Sequence, residues 1–165
     1  MTSNFTFNGL RVTAFESRRA KEIEKLILYH GGVPRIAPSM REVPLDKSGE
    51  ALRFAQKLID GKYDIVILMT GIGTRALTEA VTTKFPREEF IDALRKTTVV
   101  ARGPKPAAAL REMDVTPNIA VPEPNTWRDV LNALDGEMDI KGKRVAVQEY
   151  GISNHEFLEG PRNRG

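Results

Sequence analysis

The residues best suited to chemistry cluster where apolar runs give way to glycine. Ile65 to Met69 form an unbroken apolar run that stops at Thr70-Gly71-Ile72-Gly73-Thr74. Two glycines permit a tight turn and the close approach of a ligand. Thr70 or Thr74 can cap the helix that follows, and the free N–H groups at such a helix start favour an anion. Arg102-Gly103-Pro104-Lys105 repeats the theme, with two cations flanking a glycine turn; an anion is again the natural guest. Arg18 and Arg19 open a helix after a strand, where a cation opposes the macrodipole. Functional sites tolerate such a conflict, although a solvated surface pair accounts for the same residues. Tyr150-Gly151-Ile152-Ser153-Asn154 offers a phenol and two side-chain hydrogen bonders at a further strand end. Tyr150 equally fits a half-buried aromatic at a strand terminus.

Other chemistries find no support. Gly71-Ile72-Gly73 lacks the third glycine of a dinucleotide fingerprint: position 76 is Ala, and Arg102, not an acid, closes the next strand. No Gly-Lys-Ser/Thr follows, so it is not a Walker loop either. A purely structural turn between strand and helix remains an open reading. His30 and His155, the two histidines, stand far apart without a partner pattern. No Ser–His–Asp or paired-carboxylate arrangement is visible. Trp127 and Leu131, at helical spacing, read as core.

The elements that must position these residues alternate. Strands are expected at 10–16, 64–70, 97–102, 118–121 and 143–150. Helices are expected at 18–30 with Ser17 as cap, at 48–60, at about 74–84, after Pro86, from Gly103 to Met113, and from Thr126 to about Leu134. Asp135-Gly136 reads as a polar turn, and a last helix begins near Asn154 and runs on to the C-terminus. Pro34, Pro38 and Pro44 forbid a central strand in VPRIAPSMREVPL, which reads as an extended edge strand or a connector. Strand, polar turn and helix in repetition mean an α/β fold with a parallel, helix-covered sheet. Right-handed crossovers then set the turns after the strands on one rim, provided that all the strands share a sheet.

Composition narrows the classes. The 165 residues are 41% hydrophobic, enough to bury a core. A net charge of +3 is too mild for nucleic acid and fits a small anionic ligand met by a few placed arginines. Cysteine is absent, which excludes disulfides, thiolate catalysis and cysteine metal sites. No apolar run reaches membrane-spanning length and no signal-peptide pattern opens the chain, so a cytoplasmic location is the expectation.

FESRRAKEIEKLI, PSMREVPL, YDIVILMTGIGTRAL, VVARGPKPAAALRE and VAVQEYGISNHEFLEG, in this order, resemble uroporphyrinogen-III synthase of the bacterial type, from about residue 10 to 165. The resemblance implies a lyase of tetrapyrrole (haem, sirohaem) biosynthesis that closes hydroxymethylbilane to uroporphyrinogen III, inverting ring D and losing water. It implies no cofactor and no metal. It implies two α/β lobes joined by a two-stranded connector: residues 1–33 starting lobe one, 34–45 the connector, and 46–165 a flavodoxin-like lobe two. Thr70, Gly71, Gly73, Thr74, Arg102, Gly103 and Lys105 would then line the substrate crevice, with Arg18, Arg19, Tyr150 and Asn154 facing it. Tyr150 is a candidate catalytic residue with no role assigned. The chain reads as ending early relative to that architecture, with a tyrosine of the return connector missing, so a catalytically weak tetrapyrrole-binding half or a flavodoxin-like binding module is the alternative. The expected partner is a polycarboxylate tetrapyrrole, with neither nucleic acid nor membrane, on a monomer or a swapped dimer.

Overall fold

The structure, a computed structural model, describes residues 6–39, 49–149 and 153–164. The chain divides into two compact units, 1–43 and 44–165.

In the first unit, β1 (Arg11–Ala14) precedes α1 (Ala20–Tyr29) and β2 (Val33–Ile36). The two strands pair in parallel, Arg11 opposite Val33. β2 tolerates Pro34 because its neighbours do the bonding. Val33 N–H donates to Leu10 O (2.8 Å) and Ala37 N–H to Ala14 O (2.9 Å), so alternation turns Pro34 away from β1. Ser17 does not cap α1. The helix starts later than expected, with Arg19 at the N-cap and no side-chain cap of its own. The Glu16 carboxylate takes that role, accepting the N–H groups of Arg18 (2.9 Å) and Arg19 (3.2 Å).

The second unit contains α2 (Gly49–Ile59), β3 (Ile65–Leu68), α3 (Gly71–Thr82), α4 (Arg87–Arg95), β4 (Thr98–Ala101), α5 (Pro104–Arg111), β5 (Ile119–Ala120), α6 (Trp127–Glu137), β6 (Val145–Gln148) and α7 (His155–Arg162). Its four strands form one parallel sheet in the order β5-β4-β3-β6. The four strands expected at 64–70, 97–102, 118–121 and 143–150 thus share one parallel sheet, while β1 belongs to the first unit's own sheet.

β3 is buried along its whole length, which is why it reads as a continuous apolar run. Val66 and Leu68 face a core built from α2 to α5. Ile65 and Ile67 face the opposite core, where Val130, Leu131 and Leu134 of α6 meet Phe157 of α7. Truncating any of these strand residues to alanine should cost about 2–5 kcal/mol. Trp127 is only partly buried at the edge of the second core, with the Arg128 guanidinium over its ring at 4.2 Å.

Three boundaries differ from the sequence reading. α3 begins at Gly71 rather than near 74, so both glycines are helical. α6 runs through Asp135-Gly136 to Glu137, because a capping box of Thr126 and Asp129 starts it firmly and Leu134 is fully buried. α7 ends at Arg162, although it does hold Pro161. Arg164 then fastens that end to α6, its Nε and Nη2 donating to the two Asp135 oxygens at 2.6 and 2.7 Å.

Candidate functional site

Progress through the sheet sets the site. From β3 the chain steps to β4 and β5 in one direction; from β5 it returns past β3 to β6. The winding therefore reverses between β3 and β6. In open α/β sheets the crevice beyond the carboxyl ends of two such strands holds the ligand. The residues after β3 and β6 are Thr70 to Thr74 and Glu149 to Asn154.

Thr70 builds the first wall. Its extended backbone places it as the N-cap of α3, and its Oγ1 accepts the Gly73 N–H at 3.0 Å. The Thr74 hydroxyl donates to Thr70 O at 2.8 Å and is buried, so it locks the turn internally. The N–H groups of Gly71 and Ile72 have no acceptor among the described residues. They leave this helix start open to an anion.

The glycines are required by close approach. A Cβ on Gly71 would stand 2.6 Å from the Lys105 carbonyl oxygen, so this glycine lets the starts of α3 and α5 touch. A Cβ on Gly73 would collide with Nε2 of Gln148, the last residue of β6. Gln148 Oε1 in turn accepts the Thr70 N–H at 3.4 Å, and its Nε2 donates to Glu149 O at 2.7 Å. A glutamine that sequence reasoning did not single out thus spans the reversal point. Its signal was its place as the last polar residue of the strand VAVQ.

α5 offers less backbone. Pro104 and Pro106 carry no N–H, so Lys105 alone has one to give in that first turn. Gly103 is buried against Asn125, whose side-chain oxygen site lies 2.8 Å from a Gly103 Cβ. Asn125 aims its amide at the carbonyls of Val121 (2.8 Å) and Arg102 (3.1 Å), so nitrogen is the atom that belongs there. It ties the ends of β4 and β5 together. Arg102 is half-buried and Lys105 exposed. Neither has a carboxylate partner among the described residues.

The last wall follows β6. Asn154 caps α7 through Oδ1, which accepts the Phe157 N–H at 3.0 Å. Glu149 closes the loop, accepting Asn154 N–H (3.0 Å) and the Ser153 hydroxyl (2.9 Å). Tyr150 lies outside the described residues. The second unit therefore brings together Thr70, Gly71, Gly73, Thr74, Arg102, Gly103, Lys105 and Asn154 on one rim. Arg18 and Arg19 are exposed residues of the first unit. No group of three or more His, Asp or Glu fit to hold a metal occurs among the described residues. No helix there is long and apolar enough to cross a membrane.

Residues 21–165 match the sequence profile of the family described as Uroporphyrinogen-III synthase HemD. A curated relative, the uncharacterized protein YjjA of Bacillus subtilis (strain 168), is 36% identical over 146 residues, which are 87% of this chain and 52% of the relative. Two crystal structures from the extremely thermophilic bacterium Thermus thermophilus superpose on the chain: a mutant uroporphyrinogen III synthase with a TM-score of 0.73, and the wild-type synthase with 0.65. Both are 26% identical to it, and each match covers 95% of this chain and 58% of the solved one. The chain thus spans little more than half the length of the proteins it matches. A profile match over most of its residues, on a parallel sheet superposable on these synthases, places the chain in the uroporphyrinogen-III synthase family.

Proposed function

We propose that the rim of the second unit is one wall of a crevice for a linear tetrapyrrole polycarboxylate, and that the chain serves the closure of hydroxymethylbilane to uroporphyrinogen III. The observation that carries this is the open start of α3 at the reversal point. Two of its N–H groups lack an acceptor among the described residues, and the cations Arg102 and Lys105 flank it. Propionate and acetate side chains of a bilane suit such donors. Once its hydroxyl leaves as water, the bilane is reactive enough to close by itself, without inversion, to the type I isomer. The protein's task is then to hold ring D folded against ring A so that bonding occurs at the other carbon. Positioning of that kind contributes on the order of 7–11 kcal/mol in favourable cases. It also needs no dedicated acid–base constellation. Tyr150 is proposed as a catalytic residue beside this rim. Arg18 and Arg19 are proposed further contacts for substrate carboxylates, with residues 1–33, 34–45 and 46–165 as lobe start, connector and second lobe.

Two measurements test the reading. Uroporphyrinogen titrated into labelled protein should shift the amide signals of Thr70, Gly71, Gly73, Arg102, Lys105 and Asn154. Shifts confined to the opposite edge of the sheet, near Asp60, Asp114 and Asp135, would remove the site. Freshly made hydroxymethylbilane, followed by isomer separation, should give type III product above the spontaneous background, and Tyr150→Phe should lower it. Binding at the rim with only type I product would favour the tetrapyrrole-binding alternative.

A further inference from the structure

The turn that leads into β1 holds the one Asn-Gly pair of the sequence, Asn8-Gly9. An asparagine before glycine is chemically self-reactive. The backbone nitrogen of the next residue can close a five-membered ring on the side-chain Cγ, and glycine brings no side chain to obstruct that closure. The other asparagines are followed by larger residues. Three of them also have their amides engaged: Asn118 by the Val99 N–H, Asn125 by two strand-end carbonyls and Asn154 by the Phe157 N–H. Asn8 is exposed, and its side-chain amide has no partner among the described residues.

The folded turn opposes the reaction. Leu10 N–H donates to Phe7 O at 2.9 Å, and the two residues between them, Asn8 and Gly9, have positive φ of 46° and 77°. This is the pattern of a type I′ turn, which asparagine tolerates and glycine adopts freely. The Gly9 N–H, whose proton must leave before the nitrogen can attack, donates to Gly31 O at 2.7 Å. The Thr6 hydroxyl braces the same turn, donating to His30 O at 2.9 Å and accepting the Asn8 N–H at 3.3 Å. Phe7 N–H adds a bond to His30 O at 2.8 Å. Attack therefore requires that residues 6–10 first lift from the turn after α1. They belong to a unit with a single pair of strands, and local opening costs least in such marginal structure.

We propose that Asn8 is a site of spontaneous deamidation, admitted only by the opened form of this turn, so that its rate reports how often the first unit opens. In the opened form hydroxide takes the Gly9 amide proton, and the nitrogen bonds to Asn8 Cγ. The side-chain nitrogen leaves as ammonia with a proton from water, and a succinimide remains. Water then opens the ring. Cleavage of the new Cγ–N bond gives aspartate. Cleavage between the backbone carbonyl carbon and that nitrogen gives isoaspartate, with the chain running on through Cβ. No oxidant or reductant enters: asparagine and water become acid and ammonia. Either product lowers the net charge of +3 by one. Aspartate keeps the turn, because Asp-Gly suits the same turn type. Isoaspartate adds a backbone carbon inside it, so the bonds of Leu10 to Phe7 and Gly9 to Gly31 no longer align and opening becomes easier still.

The unaltered chain, held in mildly alkaline buffer and digested for peptide mass spectrometry, should convert at Asn8 before any other asparagine, with isoaspartate revealed by isoaspartyl methyltransferase labelling. In denaturing urea, conversion at Asn8 should run at least about tenfold faster, which measures the protection of the folded turn. Thr6→Ala removes the brace without altering either reacting residue. It should speed conversion of the folded chain about threefold, whereas Thr6→Ser should leave the rate unchanged. Neither variant should alter the rate in urea, which separates an effect on opening from one on the chemistry. Circular dichroism verifies that the variants are folded. Equal rates in buffer and in urea would overturn the proposal, because the turn would then protect nothing. Asn8 still intact in the folded chain after another asparagine has converted would overturn it as well, and so would a folded Thr6→Ala chain that converts no faster than the unaltered one.

Discussion

At the scale of single residues, the glycines of the rim differ in what they make room for, and that difference is measurable. A methyl group on Gly71 meets the backbone carbonyl of Lys105 at 2.6 Å, which can retreat only if α3 and α5 part. A methyl group on Gly73 meets the end of the Gln148 side chain, which can swing aside, and the capping Thr70 Oγ1 at 2.8 Å, which a small rotation of the threonine can relieve. Gly71→Ala should therefore lower unfolding stability by about 1–3 kcal/mol, and Gly73→Ala by less. Gly136 supplies the opposite sign. It is exposed inside α6 with nothing within 4 Å of a Cβ, so Gly136→Ala should stabilise by about 0.5–1 kcal/mol. Urea titrations of the three variants check the order. Thr70 was legible as a cap because a threonine after an apolar run, directly before a glycine, has few other uses. Gln148 and Asn125 were not. Their roles come from neighbours 78 residues away in one case and from a strand-end carbonyl pair in the other, and no local pattern encodes either.

At the scale of elements, ion pairs bind strand and helix ends that are distant in sequence, and acid should loosen them. Asp64 opens β3 and clasps Arg144 at the start of β6; that side chain, then its backbone N–H, hold the Asp64 carboxyl well below the usual carboxylate range. Arg75 lowers Glu112 across α3 and α5, and Arg164 lowers Asp135 across α7 and α6. Depressed carboxyl values give stability that is present above the unfolded value and lost as pH falls toward the folded one. The melting temperature should thus stay level from about pH 8 to 5 and fall progressively below about pH 4. Asp64→Asn should lower it at neutral pH and soften the acid decline. A melting temperature that rises on acidification would contradict the sign. Among the elements themselves, β3 and the alternation of strands and helices were plain in the sequence. The start of α3 was not. Glycine argues against helix locally, whereas the touch of α5 and the Gln148 side chain demand glycine inside the first turn.

At the scale of the whole molecule, the two units are built to different standards of burial. β3 exposes almost nothing, while β1 and β2 alternate between exposed and half-buried positions. Leu10, Leu26, Leu28, Tyr29 and Val33 of the first unit are more than half exposed, although Ile27 is buried. A parallel pair of strands with one helix is a marginal structure by itself. Hydrogen exchange should therefore be markedly faster at the amides of β1 and β2 than at those of β3 and β4. Equal protection in the two units would show that the first is held by more than its own sheet and helix. The charge of +3 belongs to this scale too: it disposes the molecule toward anions without naming one.

The Gln148 side chain has a consequence for how a ligand arrives. The Thr70 N–H is not vacant; it already holds a neutral acceptor, at a long 3.4 Å. If the proposed crevice takes a carboxylate at this point, binding is an exchange that displaces a weaker internal surrogate rather than entry into empty space. Such a surrogate keeps the donor aligned between ligands and subtracts its own bond from the ligand's affinity. Gln148→Ala removes the competitor without touching the donor. Calorimetric titration with uroporphyrinogen should then show tighter binding by a few-fold, the equivalent of about 0.5–1 kcal/mol for one weak neutral hydrogen bond no longer displaced. Weaker binding in that variant would instead make Gln148 a contact for the ligand itself.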